Sequence, residues 1–455
     1  MNSNLPLNRE VTPLEILDKV EEMLNKYPLC DHCLGRQFAL LGYGIDNKKR
    51  GEALKTVMVM KGHRLALLGK KEGIDLLKKL ASNGFNQTAA TILKGLKKRY
   101  KKAGLCYLCE GKFDLLDDIT AKVIEKLQDY EYSTFLVGVE LPNEVEERED
   151  EFKAKFGIEH GENIRNEFSR EVGKRIQKIV DKKVDYKRPE VVALIDPFRG
   201  EVKLQVNPVF IAGRYRKLVR NIPQTRWICP ECGGRGCPKC EGTGKTGGES
   251  IEDLVGKPIL EEIGGREAIL HAAGREDVDA RMLGQGRPFV MEIKEPKKRS
   301  TDLRRLTRKI NEYAEGKVEV LKLHFVDRDT VRELKKKESA EKLYRAIVEF
   351  DRAVPEETLN AITENLTDTI IYQRTPTRVS RRRADRVREK YIYEVKIKRL
   401  KPNSAEMRIR CQGGLYVKEL VSGDNGRTKP SVASIAGVKA EVKELDVLEV
   451  IEGRN

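Results

Sequence analysis

Two aspartates with arginines on either side are placed to do chemistry on a polyanion. Asp277 and Asp279 lie in the stretch HAAGREDVDARMLGQGRPFVMEI, ahead of an apolar run that is typical of a strand. The flanking arginines are Arg275, Arg281 and Arg287. Such arginines either neutralise structural carboxylates or hold an anionic substrate on which one carboxylate acts.

The spacing of the cysteines is a second chemical signal. Eight of the nine form four Cys-x-x-Cys pairs, and two thiolates at this spacing reach one tetrahedral ion from a tight turn. The segment CPECGGRGCPKC predicts a zinc knuckle with the ligands Cys229, Cys232, Cys237 and Cys240. The other two pairs each supply half a site and together predict a second site with the ligands Cys30, Cys33, Cys106 and Cys109. Redox pairs or buried thiols are the alternative, and the unpaired Cys411 is assigned to the core.

A large positive charge narrows the class of partner. The chain has 455 residues, a net charge of +16 and a pI of about 9.2. This surplus indicates a polyanion such as nucleic acid, although a lysine-rich surface adapted to heat or salt has the same composition. No apolar run approaches the ~20 residues that span a membrane, and the amino terminus lacks a signal-peptide core. These features predict a cytoplasmic protein.

The elements that must position these residues fall into three regions. Residues 1–110 show apolar positions every three or four residues and predict helices that contain the separated cysteine pairs. Residues 111–225 mix helices with strands, including a hairpin in VVALIDPFRGEVKLQV. Residues 226–455 hold the knuckle at 229–240 and then many strands among irregularly spaced helices. This pattern favours an α+β fold with a mostly antiparallel sheet.

Basic residues cluster twice in the third region. The segment Lys297–Lys309 has seven in thirteen residues, and Arg374–Lys390 has eight in seventeen. Loops of this kind beside a strand-rich core grip phosphates, and arginine suits bidentate phosphate contacts. A solvated helix face is the alternative for the first cluster. The second cluster supplies the candidate phosphate ligands Arg374, Arg382 and Arg383.

Several short motifs occur in the order of one enzyme family. GRED resembles the Gly-Arg-x-Asp signature of pseudouridine synthases, and KLYRAIV resembles their Lys-x-Tyr strand motif. GGLYVKELVSGDNGRTKPSVASIAG resembles their third motif, with Val417-Lys418 at its apolar-basic pair, and Leu445 stands where the family has another apolar wall residue. Over nearly its full length the chain resembles archaeal tRNA pseudouridine synthases that act on the T-loop uridines 54 and 55. Its middle region resembles a THUMP-type RNA-binding domain.

This resemblance implies a role for each motif residue. Asp277 is the catalytic carboxylate, acting as nucleophile or base, and Lys418 is the cation that keeps it charged. Tyr344 stacks on the uracil with its hydroxyl placed for proton removal at C5, and Arg275 holds a phosphate of the everted nucleotide or helps to open the stem. Val417 and Leu445 line the pocket.

The resemblance also implies the partners and cofactors. The partner is tRNA, bound by its T-arm and, through the THUMP-type region, by its acceptor stem, and the protein acts as a monomeric isomerase. The reaction needs no redox step, so no organic cofactor is expected and zinc is structural.

Other interpretations of the same residues stay open. Asp279 is the alternative carboxylate, Tyr391 and Tyr393 form a second Lys-Tyr strand, and Lys418 fits an ordinary helix surface. The alternative functions are another THUMP-containing tRNA-modifying enzyme, such as a methyltransferase or thiolation enzyme, and a non-catalytic zinc protein that binds tRNA. The modifying enzymes need a glycine-rich cofactor loop or a pyrophosphatase loop, and the sequence has neither.

Overall fold

Helices dominate the first half of the chain because apolar side chains recur there at helical spacing. The computed structural model describes residues 13–336, 340–380 and 384–451, and it separates the chain into two units between Val206 and Asn207. The helices of the first unit are α1 (Pro13–Lys26), α2 (Asp31–Arg36), α3 (Asn47–Leu67), α4 (Lys71–Ser82), α5 (Gln87–Gly95), α6 (Leu116–Leu127), α7 (Asn143–Phe156) and α8 (Ile164–Val180). Their apolar faces join one hydrophobic core.

A small mixed sheet completes the first unit. Its strands are β1 (Thr134–Val139), β2 (Lys183–Val184), β3 (Val191–Asp196) and β4 (Glu201–Val206), in the spatial order β2-β1-β3-β4. Strand β1 runs parallel to both neighbours, whereas β3 and β4 form the antiparallel hairpin expected from the sequence. The hairpin turns because the Asp196 carboxylate accepts hydrogen bonds from the main-chain N–H groups of Phe198 and Arg199.

Ten strands form the sheet of the second unit. They are β5 (Val209–Lys217), β6 (Glu267–Ala272), β7 (Arg281–Lys294), β8 (Val318–Val326), β9 (Glu341–Phe350), β10 (Thr369–Arg374), β11 (Val387–Lys401), β12 (Ser404–Cys411), β13 (Thr428–Lys429) and β14 (Ala440–Ile451). The spatial order is β13-β10-β11-β12-β9-β14-β7-β5-β8, and β6 also pairs with β7. Strands β14 and β7 run parallel, and the other pairings in this sheet are antiparallel. The expected α+β fold with a mostly antiparallel sheet is confirmed.

Six helices accompany this sheet. They are α9 (Ile251–Ile263), α10 (Leu303–Tyr313), α11 (Arg328–Lys336), α12 (Glu356–Leu366), α13 (Val417–Ser422) and α14 (Val432–Ala436). The sequence analysis ended the middle region at residue 225, whereas the structure places residues 207–225 in the second unit. The reason is β5, which pairs with β7 on one side and β8 on the other. Over the described residues, none of the helices combines the length and apolar character that crossing a bilayer demands.

A buried carboxylate ties β14 to three arginines in the second unit. The Asp446 side chain is 1% exposed and accepts hydrogen bonds from Arg220 (2.8 Å), Arg281 (2.9 Å from Nε) and Arg345 (3.0 Å). Burial alone would raise the pKa of Asp446. The hydrogen bond from Arg281 and the charge of Arg220 outweigh burial, so this pKa lies below its ordinary value. The carboxylate is therefore ionised at neutral pH and joins β14 to neighbouring elements.

Replacing Asp446 by asparagine is expected to lower the free energy of unfolding by about 3–5 kcal/mol, because three arginines lose their shared counter-charge. The folded pKa of Asp446 lies below the unfolded value, so its contribution exists above the unfolded pKa and is lost as pH falls through the folded one. Urea unfolding from pH 7 to pH 3 checks both statements. Asp351→Asn removes an exposed carboxylate as the control, and equal midpoints for Asp446→Asn and wild type would contradict the expectation.

Candidate active site

The loop between β6 and β7 carries both aspartates of the GRED segment. β6 and β7 are antiparallel neighbours, so the loop closes a hairpin, and Gly274 turns the chain at a φ of +80°. Asp277 is half-buried, with 31% of its side chain exposed, whereas Asp279 is 56% exposed. The hairpin therefore presents two carboxylates in different surroundings.

Two cationic side chains, from segments far apart in the sequence, form ion pairs with Asp277. Arg378 donates from Nη1 to Oδ1 at 3.2 Å, and its Nη2 lies 3.1 Å from Oδ2. The Lys418 ammonium lies 3.5 Å from Oδ2. Lys418 is the second residue of α13, and Arg378 lies in a short 3₁₀ turn, Thr377–Val379. The structure thus brings Lys418 to Asp277, and it adds an arginine that the sequence analysis did not single out.

Lys418 is shared between the two aspartates. Its ammonium donates to both carboxylate oxygens of Asp279 at 2.7 Å, closer than its approach to Asp277. Burial by itself would raise the pKa of Asp279, but the hydrogen bond and charge of Lys418 hold that pKa below its ordinary value. Asp279 is therefore the tighter partner of this lysine.

A buried network supports the loop through its third carboxylate, Glu276. Glu276 is 6% exposed and accepts hydrogen bonds from the Tyr215 hydroxyl at 2.9 Å and from Arg287 Nε at 2.8 Å. Gln224 donates to the same hydroxyl at 2.7 Å. Arg287 is fully paired inside the protein, and Arg281 binds Asp446. Two of the three arginines that flank the aspartates therefore neutralise structural carboxylates.

The side chain of Lys217 binds the main chain of the aspartate loop. This lysine at the end of β5 has no exposed surface, and its ammonium donates to the main-chain carbonyls of Val278 at 2.6 Å and Asp277 at 3.3 Å. Burial lowers the pKa of Lys217 to about 8, against the opposing charges of the nearby carboxylates Glu276, Asp279 and Asp277. The charged lysine is costly to bury, and it fixes the backbone that carries Asp277. The sequence contains one indication of these two contacts. Residues alternate between strand faces along RYRK, so Tyr215 and Lys217 are expected on the same face.

The variant Lys217→Met is expected to lose activity without losing stability. A buried ammonium with a lowered pKa costs folding free energy at neutral pH, and an apolar side chain of similar length does not. We expect a melting temperature equal to or above that of wild type and a turnover lower by roughly 10- to 100-fold, because the Asp277 backbone loses its donor. Calorimetry and single-turnover assays test this pair of effects. An unchanged turnover would show that the loop does not depend on Lys217.

Tyr344 and the apolar residues lie on one face of the sheet. In the register of β9 with β14, Tyr344 is opposite Val447 and Ala346 is opposite Leu445, so Tyr344 and Leu445 project to the same side. Helix α13, which begins at the buried Val417, packs against β14. The structure therefore gathers the motif side chains around the sheet face next to β9.

The Tyr344 phenol is un-ionised at neutral pH. Burial raises its pKa well above the ordinary value, and the Cys411 thiol and the carboxylates of Asp277 and Glu276 add smaller effects in the same direction. Arg287 acts against them.

The alternative tyrosines lie elsewhere on the sheet. Tyr391 and Tyr393 are on β11, which β12 separates from β9. Their rings are 5.1 Å apart; the Tyr391 hydroxyl bonds to Asp368, and Arg410 lies over the Tyr393 ring. Their partners are thus distinct from those of Asp277.

The predicted phosphate ligands have different surroundings. Arg275 is exposed beside the aspartates. Arg374, 54% exposed, pairs with Asp385 of its own loop at 2.7 Å. Arg382 and Arg383 lie outside the described residues. Of the two described candidates, Arg275 is the one that lies in the same loop as Asp277 and Asp279.

Two clusters of four cysteines have the arrangement that zinc requires. In each cluster all four Sγ atoms lie within 4.8 Å of one another, and thiolates at ~2.3 Å from a tetrahedral ion are roughly 3.8 Å apart. The clusters are the two sets predicted from spacing, Cys30, Cys33, Cys106 and Cys109 in the first unit and Cys229, Cys232, Cys237 and Cys240 in the second. Both can hold zinc.

The supports of the first cluster come from α2 and α3. Cys30 caps the start of α2, and its Sγ accepts a hydrogen bond from the N–H of Cys33. A Cβ on Gly35 would lie 1.9 Å from the main-chain oxygen of Asn47, so only glycine lets α2 and α3 approach this closely. The buried Arg36 donates to the Cys33 sulfur at 3.5 Å, which offsets the negative charge of a four-thiolate site.

In the knuckle of the second unit, backbone N–H groups form hydrogen bonds with the cysteine sulfurs. The N–H groups of Gly236 and Gly244 donate to the sulfurs of Cys232 and Cys240, each at 3.2 Å. Such N–H···S bonds stabilise thiolate ligands. The residues present therefore fit a structural zinc ion in each unit.

Comparison with known proteins assigns the chain to a class of RNA-modifying isomerases. It matches the family described as "Pus10, C-terminal" over residues 210–451 and "Pus10 THUMP domain, archaeal" over residues 119–196. It is 42% identical to the tRNA pseudouridine synthase Pus10 of Thermofilum pendens over 438 residues, which cover 96% of each chain. Against that of Methanocaldococcus jannaschii, identity is 44% over 94% of this chain and 93% of the relative.

These matches define a THUMP-containing pseudouridine synthase. The chain belongs to the Pus10 family of tRNA pseudouridine synthases, and the resemblance found in its motifs is confirmed.

Proposed function

We propose that the protein isomerises uridine 54, uridine 55 or both in the T-loop of tRNA, with Asp277 as the catalytic residue. Membership of the Pus10 family supports the reaction. The observation that supports the residue assignment is the half-buried Asp277 carboxylate, which lies 3.5 Å from the Lys418 ammonium and is engaged by Arg378. Asp279 is more exposed and bound more tightly by the lysine.

The reaction needs only groups that this chain supplies. The C1′–N1 bond of uridine breaks, the uracil turns, and C5 bonds to C1′. C5 then loses its proton and N1 takes one up, so the product is an isomer of the substrate. Asp277 attacks or deprotonates the sugar, and Lys418 is the cation beside its carboxylate. Tyr344 stacks on the base and directs the departing proton, while Val417 and Leu445 exclude water. Zinc has a structural role in each unit and is not involved in these reaction steps.

The surrounding basic residues fit an everted nucleotide. Arg275 contacts a phosphate beside the opened uridine, and Arg374, Arg382 and Arg383 hold the T-arm backbone. The THUMP match over residues 119–196 supports contact of the first unit with the acceptor stem. On this proposal the RNA-binding region comprises residues 111–206 and the catalytic domain begins at residue 207. The protein acts as a monomer in the cytoplasm.

Tritium release tests the proposal. Purified protein is incubated with unmodified tRNA transcripts that carry tritium at C5 of uracil, including transcripts in which cytidine replaces uridine 54, uridine 55 or both. We expect release without any added cofactor, and its loss when both positions are replaced. A methyltransferase would need a methyl donor, and a protein that only binds tRNA would release nothing; either result would reject the proposal.

A further inference from the structure

Arg378 contacts two carboxylates at once. Its two terminal nitrogens face the two oxygens of Asp277, and its Nε donates to Glu419 Oε1 at 2.7 Å. Its backbone is anchored separately, because the adjacent Thr377 N–H donates to Asp424 at 2.9 Å. The guanidinium can therefore exchange partners while the loop that carries it stays in place.

The arrangement described by the structure engages both oxygens of Asp277. A carboxylate that acts as nucleophile or base uses an oxygen lone pair, and a bidentate guanidinium is among its strongest hydrogen-bond partners. Lys418 approaches Oδ2 from another segment and stays beside the carboxylate when Arg378 moves away. The contact with Arg378 thus defines a state in which both oxygens of Asp277 are engaged by one guanidinium.

Glu419 offers the released arginine a second position. Glu419 is 6% exposed, and its Oε2 atom accepts no hydrogen bond from any residue in the described parts of the chain. A buried carboxylate oxygen without a donor is unfavourable, because it has lost its hydration and gained no hydrogen bond. Arg378 Nε already binds the other oxygen, so a small rotation would let Nε and Nη2 pair side-on with both oxygens of Glu419. This rotation takes Nη2 away from Oδ2 of Asp277 and turns Nη1 away from Oδ1 and outward.

We propose that Arg378 is a positioning residue that moves from Asp277 to Glu419 when a phosphate of the bound RNA takes its outward-facing nitrogen. This inference rests on the proposed function, since it assigns a coupling between RNA binding and the release of Asp277. The phosphate replaces one Asp277 oxygen as acceptor, and Glu419 Oε2 replaces the other. The three nitrogens of the guanidinium each keep a carboxylate or phosphate acceptor in both states.

A double-mutant cycle tests the exchange with the full chain and T-arm RNA. Dissociation constants and single-turnover rates at saturating RNA are measured for Arg378→Gln, Glu419→Gln and the double variant. Arg378→Gln should weaken binding roughly tenfold through the lost phosphate contact, and it should lower the single-turnover rate less than Glu419→Gln does, because no guanidinium then engages Asp277. Glu419→Gln removes the second acceptor and should lower the rate roughly tenfold at near-normal affinity. The double variant should regain the rate that Glu419→Gln loses.

The control is Arg399→Gln. Arg399 also pairs through Nε with a carboxylate, Glu356, at 2.8 Å, and it lies on β11. Its replacement should change neither constant, and melting temperatures verify that each variant is folded. Two results would overturn the exchange, provided that the wild type is active. In the first, Glu419→Gln reacts at the wild-type rate. In the second, the double variant is no faster than Glu419→Gln. A wild type that releases no tritium would instead reject the proposed function.

Discussion

Asp277→Asn is expected to abolish tritium release from T-arm RNA, with a fall in single-turnover rate on the order of 10⁴-fold or more. An amide of the same shape neither attacks the sugar nor takes a proton from it. Asparagine keeps one oxygen for Lys418 or Arg378, so RNA affinity should change by less than about threefold. Rapid-quench assays and filter binding on the same preparation separate the two quantities.

Asp279→Asn is the matched control for this prediction. It makes the same chemical change two residues away, on a carboxylate that is also bound by Lys418. We expect activity within about tenfold of wild type, because Lys418 retains Asp277 as partner. An active Asp277→Asn variant would contradict the catalytic role of Asp277. If the Asp279→Asn variant were inactive at the same time, the role would belong to Asp279.

The second large effect concerns the metal sites. Purified protein should contain two zinc ions, and Cys33→Ser should contain one and lose the folded first unit. Cys33, Cys106 and Cys109 belong to the main hydrophobic core of that unit. Apparent zinc-binding energies of about 10–16 kcal/mol rival the whole stability of a domain, so losing this ion is not a local change. Elemental analysis and limited proteolysis of residues 13–206 are the measurements.

Two further variants make the result specific. Cys232→Ser should also lose one zinc ion, but the knuckle cysteines form a small cluster of their own, so proteolysis should remain confined to the surroundings of 229–240. Cys411→Ser alters a buried thiol outside both clusters and should retain two ions. Two ions and unchanged proteolysis in Cys33→Ser would remove the structural role of the first cluster.

Periodic features of the fold could be predicted from the sequence. Alternating apolar residues correctly indicated β9 and the β3–β4 hairpin, and cysteine spacing indicated both sulfur clusters. The meeting of Asp277 with Lys418 required the family resemblance, since no local pattern links residues so far apart in the chain.

Buried charges were beyond the reach of pattern analysis. An acidic segment such as α7 is normally a solvated helix. Glu149 is nevertheless buried beside Arg36, with Phe152 and Phe156 in the core. A charged residue is normally exposed unless it has a partner, and that partner can be more than a hundred residues away. Arg378 was missed for the same reason, because its pairing with Asp277 spans 101 positions.

The 76-residue separation between Cys30 and Cys106 constrains the order of events during synthesis. A nascent chain that ends before Cys106 holds only one thiol pair of the first cluster, and the helices up to α5 have already been translated by then. Four-thiolate coordination becomes possible only after Cys109 has left the ribosome. A metal ion can therefore bind all four cysteines of the first cluster only after this point, while α6, α7, α8 and the small sheet still have to be synthesised.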